Sequence, residues 1–140
     1  MLSLMPHYYS VHYQAQPPLI RGLVLRPLTA TEFTEACELL LAQAQEHDCP
    51  YWLLDGRADE NIRPPALFQW LVEDFLPRVP KVLGRVPCLA FVAQPRFWRE
   101  FQARNSTPDS PGLFVPGFRT GLFTEEAMAL DWLDTFRTSP

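Results

Sequence analysis

Tyr51–Arg57 has the sequence YWLLDGR, a short apolar run that ends abruptly in an acid, a glycine and a base. A strand buried on both faces of an α/β sheet has this pattern, because the alternation of apolar and polar residues is lost until the chain reaches the surface. Ligands and partners of open α/β sheets bind where such strands end. The stretch therefore predicts a central strand and makes Asp55 and Arg57 the first candidate binding residues.

The chain before this strand predicts a hairpin followed by a helix. Tyr8–Gln14 alternates apolar and polar residues, as a half-buried strand does, whereas Leu19–Arg26 is aliphatic on both faces and fits a more central strand. Thr29–Asp48 predicts the strongest helix of the chain. It opens with a capping box of Thr29 and Glu32, and its apolar residues recur at helical spacing, so that they form one stripe that must lie on the sheet.

The chain after this strand predicts three more helices and two more strands. The first of these helices begins at Pro65 or Ala66 and is interrupted at Pro77, and a further helical turn or a bend runs to Gly84. The remaining predicted segments are the strand Val86–Ala93, the helix Pro95–Arg104, a mobile loop at residues 105–113, the edge strand Phe114–Phe123 and a last helix with Thr124 as its N-cap.

The predicted order is thus β-β-α-β-α-β-α-β-α, an α/β fold with a mixed, mainly parallel sheet of about five strands. At 140 residues the chain has the length of one domain, so we expect a single domain over residues 1–140.

Composition narrows the possible functions. Apolar residues make up 47% of the chain, whereas the net charge is -4 and the pI is near 5.3, which disfavours nonspecific binding to nucleic acid or to an anionic membrane. No apolar run is long enough to span a bilayer, and we expect a cytoplasmic protein.

The three histidines are scattered and the three cysteines form no C-x-x-C pair, so we expect no metal site and no cofactor. Of the cysteines, Cys49 is the one we expect to be exposed.

The element order and the aromatic residues resemble the STAS superfamily, named for sulfate transporters and anti-sigma-factor antagonists, and in particular its small uncharacterised bacterial members. The resemblance spans about residues 7–137 and is carried by Tyr51–Arg57, Trp70–Pro77, Cys88–Val92, Phe123–Ala127 and Asp131–Leu133. It implies a non-enzymatic regulatory or protein-interaction module with a STAS-like fold. Antagonists of this type bind a partner kinase and are switched by phosphorylation of a serine just beyond the aspartate that matches Asp55. Gly56 and Arg57 offer no hydroxyl there, so the resemblance does not carry that switch over.

Asp55 and Arg57 have two interpretations. Residues two apart on a strand share a face, and an acid beside a guanidinium can form a hydrogen-bonded pair that caps the following turn. Alternatively, the two residues contact a partner or a ligand, and Arg119 joins them if the edge strand lies nearby. A small-molecule or lipid-binding domain that uses this crevice is therefore the alternative function, and a hydrolase that uses Asp55 or His12 is a third, less favoured hypothesis.

Half of the 12 basic residues fall between positions 78 and 104, with Glu100 as the single acid among them. They could form a solvated helix face or a basic surface that attracts an acidic protein partner. The candidate residues are Arg78, Lys81, Arg85, Arg96, Arg99 and Arg104. A free edge strand would also allow a homodimer, although Pro116 and the glycines near it discourage pairing at the last strand.

Overall fold

The computed structural model describes residues 8–59, 65–96, 99 and 117–137. Its strands are β1 (Tyr9–Gln14), β2 (Leu19–Val24), β3 (Tyr51–Asp55), β4 (Cys88–Val92) and β5 (Arg119–Phe123). Its helices are α1 (Ala30–His47), α2 (Pro65–Trp70), α3 (Leu76–Leu83) and α4 (Glu126–Arg137), and a π-helical segment, Leu71–Phe75, joins α2 to α3. Within these residues, no helix is both long enough and apolar enough to cross a lipid bilayer.

The five strands form one sheet in the order β1-β2-β3-β4-β5. β1 runs antiparallel to β2, and every later pair is parallel. β3 lies at the centre, and its residues Trp52 and Leu53 are fully buried although they point to opposite faces. The prediction of a mixed, mainly parallel sheet with Tyr51–Asp55 as a central strand is confirmed.

Helices cover both faces of the sheet. On one face, Trp52, Ile20 and Leu89 pack in the larger core with residues of α1, the π-helical segment and α3. On the other face, Leu53 and Ala90 belong to a smaller core with residues of α4. α4 contacts β3, β4 and β5, and it also reaches β2 through Leu19 in the smaller core and the ion pair between Arg21 and Glu126, whereas β1 is not among its main contacts.

α1 begins at the predicted capping box. The side chain of Thr29 accepts a hydrogen bond from the backbone N–H of Glu32 at 3.2 Å, and Glu32 accepts one from the backbone N–H of Thr29 at 2.9 Å. The predicted stripe lies on the sheet, since Cys37, Leu40, Leu41 and Ala44 are all buried. The local sequence of α1 therefore determines both that the helix forms and which of its sides packs on the sheet.

Pro77 does not interrupt the second helical region, contrary to the prediction, whereas the predicted further helical turn up to Gly84 is present. The chain stays helical to Leu83, where Gly84 ends α3 in the left-handed conformation at φ 69°. The π-helical segment lies directly before Pro77, and the backbone N–H of Leu76 bonds to the carbonyl of Leu71. Because this wider turn precedes it, Pro77 falls in the first turn of α3, where a missing N–H is tolerated.

Cys49 is buried rather than exposed, contrary to the prediction. The residue is 1% exposed, and its carbonyl accepts a hydrogen bond from the indole of Trp52 at 3.0 Å. Burial raises the pKa of the Cys49 thiol. The short turn between α1 and β3 therefore belongs to the core.

Other predicted boundaries differ by a few residues. β2 ends at Val24 rather than Arg26, and β4 covers Cys88–Val92 rather than Val86–Ala93. Most of the predicted helix Pro95–Arg104, the predicted loop 105–113 and the first part of the predicted strand Phe114–Phe123 lie outside the described residues.

Candidate functional site

Asp55 is the last residue of β3, at the carboxyl end of the parallel strands, where it lies opposite Val92 of β4. It is the one buried charged residue in the described part of the chain, at 8% exposure. Arg57 donates to both of its oxygens, from Nε to Oδ1 at 3.0 Å and from the terminal guanidinium nitrogen to Oδ2 at 2.7 Å. The backbone N–H of Arg57 also donates to Oδ1, at 3.1 Å. Asp55 thus caps the turn and pairs with the side chain that the turn delivers.

This pairing fixes the charge of both groups. Burial alone would raise the pKa of Asp55, but the hydrogen bonds from Arg57 and the nearby charges of Arg57 and Arg21 outweigh it and hold the pKa below its ordinary value. The carboxylate in turn raises the pKa of Arg57. Asp55 is therefore a poor proton acceptor near neutral pH, whereas the Arg57 side chain keeps 46% of its surface in solvent.

Hydrogen bonds join the segments that follow β2, β3 and β4, the third of which runs into the start of a helix at Pro95. We call these segments the loop rim (residues 25–29, 56–59 and 93–96). Asp59 accepts from the backbone N–H of Leu28 at 3.3 Å, which links the first loop to the second. Gln94 donates to the carbonyl of Arg57 at 2.7 Å, and the N–H of Gly56 bonds to the carbonyl of Val92 at 2.8 Å. The rim is consequently one connected surface rather than three independent loops.

Several residues of the loop rim face solvent. Leu25 is 49% exposed, and the cationic side chains of Arg26 and Arg57 are about half exposed although each is paired with an acid. Ala58, Gln94, Pro95 and Arg96 are also exposed. The rim thus presents apolar and cationic groups on a backbone that is already ordered.

Arg119 does not join Asp55 and Arg57. It begins β5 and lies opposite Cys88, at the amino end of the parallel strands, whereas Asp55 is in register with Val92 and Phe123. Four residues of strand separate the two ends, a distance of about 13 Å. The guanidinium of Arg119 lies over the ring of Phe136, 4.7 Å from its centroid. It belongs to the packing between β5 and α4.

The predicted basic surface is partly neutralised. Arg78 pairs with Glu38 at 2.8 Å and with Asp74 at 3.1 Å, and Arg85 pairs with Asp48 at 3.3 Å. Lys81, Arg96 and Arg99 are exposed, and Arg104 lies outside the described residues. Because Arg78 also ties α3 to α1, it acts in part as a structural residue.

His12 lies too far from Asp55 to share a proton with it. His12 is on β1, opposite Arg21 of β2, and Arg21 is in turn opposite Leu53 of β3. Two strand spacings, about 10 Å, therefore separate the two strands that carry these residues. The geometry gives no support to a hydrolytic pair of His12 and Asp55.

Gln94 and Asp59 help to join the loop rim, but neither was predicted from the sequence to do so. Gln94 follows β4 with no motif around it, and only the parallel register of β3 and β4 brings it to Arg57. Asp59 lies in a polar stretch whose neighbouring residues, Glu60 and Asn61, could equally have been predicted to accept a hydrogen bond. No local signal distinguishes either residue, because their partners are 37 and 31 positions away.

No family model matches the chain, and no curated protein matches it. One solved structure does, the crystal structure of an uncharacterised protein from the DUF3478 family with a SpoIIAA-like fold, from Shewanella loihica PV-4. The two chains superpose with a TM-score of 0.57 over 95% of this chain and 99% of that one, and 17% of their residues are identical. The fold is SpoIIAA-like. This is the STAS-like fold, so the resemblance stated from the sequence is confirmed at the level of the fold.

Proposed function

We propose that this protein is a non-enzymatic, STAS-like regulatory or protein-interaction module of the cytoplasm, and that it binds a protein partner through the loop rim. The observation that carries the proposal is the engagement of Asp55. Both of its oxygens accept hydrogen bonds from Arg57, so the buried acid orders the rim and has a depressed pKa that does not suit it to proton transfer.

The connected rim supports binding of a protein rather than turnover. Ordering loops on association opposes binding, and a surface whose loops are already joined avoids much of that loss. The links from Leu28 to Asp59 and from Gln94 to Arg57 provide such order. Exposed Leu25 supplies apolar contact area, and the half-exposed guanidiniums of Arg26 and Arg57 suit an acidic partner.

The test uses a photo-crosslinking amino acid at Ala58, which is exposed at the centre of the rim. In cells of the native host we expect a discrete protein adduct. Leu25→Glu should abolish the adduct, because it places a charge in the apolar part of the rim at a residue that is 49% exposed. Val86→Glu is the matched control, since Val86 is similarly exposed, at 52%, but precedes β4 at the other end of the sheet.

An adduct that Leu25→Glu leaves unchanged, or no protein adduct at all, would contradict the proposal. If no protein is captured but acidic or apolar metabolites raise the melting temperature of the wild type, the result would favour the small-molecule alternative. Loss of that rise in Leu25→Glu would then assign the ligand to the rim.

A further inference from the structure

The outer edge of β1 carries backbone groups that β2 does not use. β1 pairs with β2 on one side and is the terminal strand of the sheet. The N–H of Leu25 bonds to the carbonyl of Tyr8 at 2.9 Å, so the even-numbered residues of β1 direct their backbone groups toward β2. By alternation, the backbone groups of Tyr9, Val11 and Tyr13 point away from the sheet. Within the described residues, no strand pairs with them.

This edge lacks the features by which proteins protect edge strands. The sequence of β1, YSVHYQ, has no proline, no lysine and no acid. β5, at the other edge, begins with an exposed arginine and contains Gly121. Charges, prolines and irregularities are the usual means of discouraging pairing at an edge, so β1 is the edge that can accept another strand.

β1 is also held in place before any partner arrives. Tyr9 and Val11 are 5% exposed in the larger core, and the hydroxyl of Tyr8 donates to Glu35 of α1 at 2.7 Å. The ring of Tyr13 stacks on His47 at 3.9 Å. An ordered edge loses little conformational entropy when a second strand is added.

We propose that a second copy of this chain pairs with β1 in antiparallel orientation, about a two-fold axis that passes through Val11 perpendicular to the sheet. Such an axis keeps the same face of both sheets on the same side, so paired residues must both be odd or both be even. With the axis at Val11, Tyr9 lies opposite Tyr13 of the second copy. Every outward N–H and carbonyl of Tyr9, Val11 and Tyr13 then finds a partner.

This register also decides which side chains meet. Ser10 lies opposite His12 of the second copy, and both residues are on the face of the sheet that carries the smaller core, beyond the strands that α4 covers. Ser10 carries no charge, so this contact places no two like charges opposite each other. The proposal uses a different surface from the loop rim and does not rest on the function proposed for that rim.

The geometry is tested with cysteines. Opposed residues 10 and 12 form a non-hydrogen-bonded pair, whose Cα separation suits a disulfide. We expect that a mixture of Ser10→Cys and His12→Cys chains forms a disulfide-linked dimer on mild oxidation, whereas neither variant alone does. The native cysteines are buried and should not interfere. Crosslinking of His12→Cys with itself, or none in the mixture, would overturn the register.

A second test uses charged variants of β1, whose dimer dissociation constants are measured by sedimentation equilibrium. Ser10→Glu with His12→Glu puts two acids opposite each other twice per dimer and should weaken the dimer about tenfold or more. Folding should survive, because position 12 lies beside Arg21 of the same chain, and a circular dichroism melt checks this. Ser10→Lys with His12→Glu places opposite charges across the axis and should restore the dimer.

The matched control is Val82→Glu with Val86→Glu, which adds the same two charges to exposed positions that are not on β1. It should leave the dimer unchanged. A wild-type protein that stays monomeric up to millimolar concentration would overturn the proposal. So would a dimer that the two acids on β1 do not weaken, because it would use another surface.

Discussion

The indole N–H of Trp52 donates a hydrogen bond to the carbonyl of Cys49 at 3.0 Å, inside the larger core. The bond closes the tight turn between α1 and β3 and fixes where the central strand begins. Trp52 is fully buried, so the bond is shielded from water. Because β3 carries Asp55 at its other end, this contact also sets the position of the loop rim.

Trp52→Phe should reduce the free energy of unfolding by about 1–3 kcal/mol, because it leaves a buried carbonyl without its donor and removes part of a ring from the core. Urea denaturation at pH 7 measures the loss. Trp132→Phe is the control, since Trp132 is only half-buried, at the edge of the smaller core. An equal loss in the two variants would show that the bond to Cys49 adds nothing specific.

Asp55→Asn should destabilise the protein by about 1–3 kcal/mol at neutral pH, because it removes the carboxylate that Arg57 engages with three hydrogen bonds. The folded pKa of Asp55 is below its unfolded value of about 3.9, so the stabilising effect is complete above that pH. It is lost as the pH falls through the folded pKa.

Urea denaturation at pH 7 and at decreasing pH below about 4 should therefore show the difference between wild type and Asp55→Asn shrinking with acid. The exposed Asp131 on α4 offers a control, and Asp131→Asn should have little effect on the stability at pH 7. A gap between wild type and Asp55→Asn that widens with acid would contradict the depressed pKa.

Glu32 should titrate far below an ordinary glutamate. Its carboxylate accepts hydrogen bonds from Arg26 at 2.8 and 3.1 Å, and then from the backbone of Thr29, which together lower its pKa to about 2. NMR titration of the side-chain carboxyl carbon measures this value directly. Since the folded pKa is depressed, the contribution to stability is present above the ordinary value and is lost as the pH falls toward 2.

Arg26→Gln should move the pKa of Glu32 back toward its ordinary range. Lys81→Gln, which removes an exposed cation from α3, should leave it in place. If both substitutions shift the pKa of Glu32 alike, long-range charge rather than the contact with Arg26 would be responsible.

The capping box should contribute measurably to α1. Thr29→Ala removes the side-chain acceptor for the N–H of Glu32 and should lower the free energy of unfolding by about 1 kcal/mol. Chemical denaturation gives the difference. Thr31→Ala is a control two residues further along the helix, where the side chain is exposed, and it should cause no comparable loss.

Gly22 lets α1 lie close to the sheet. A Cβ atom at this position would come within 2.9 Å of Leu40 and 3.0 Å of Leu54, both of which pack in the larger core. Gly22→Ala should therefore cost about 1–3 kcal/mol of stability through overpacking. Thermal and urea unfolding of Gly56→Ala provide the comparison, because a Cβ there meets nothing closer than 3.9 Å and the substitution should be tolerated. Equal losses would contradict the packing explanation.

Several elements followed from local pattern. The alternation of β1, the aliphatic run of β3 and the capping box of α1 are short-range signals, and the structure has each of them close to the predicted place. The prediction of a turn cap at Asp55 rests on the same kind of signal, since its partner Arg57 is two residues away. Pro77 was misjudged because local propensity does not reveal the π-helical segment before it.

The sequence by itself determined the order and type of the main elements and the residues that end the central strand, because hydrophobic periodicity and capping act over a few residues. Only the tertiary structure decided which distant groups meet. Parallel pairing aligns the start of β5 with the start of β4, which sets Arg119 at the opposite end of the sheet from Asp55 and brings Gln94 to Arg57 instead. Such contacts depend on strand register and direction, and these are fixed when the whole sheet and its two cores assemble.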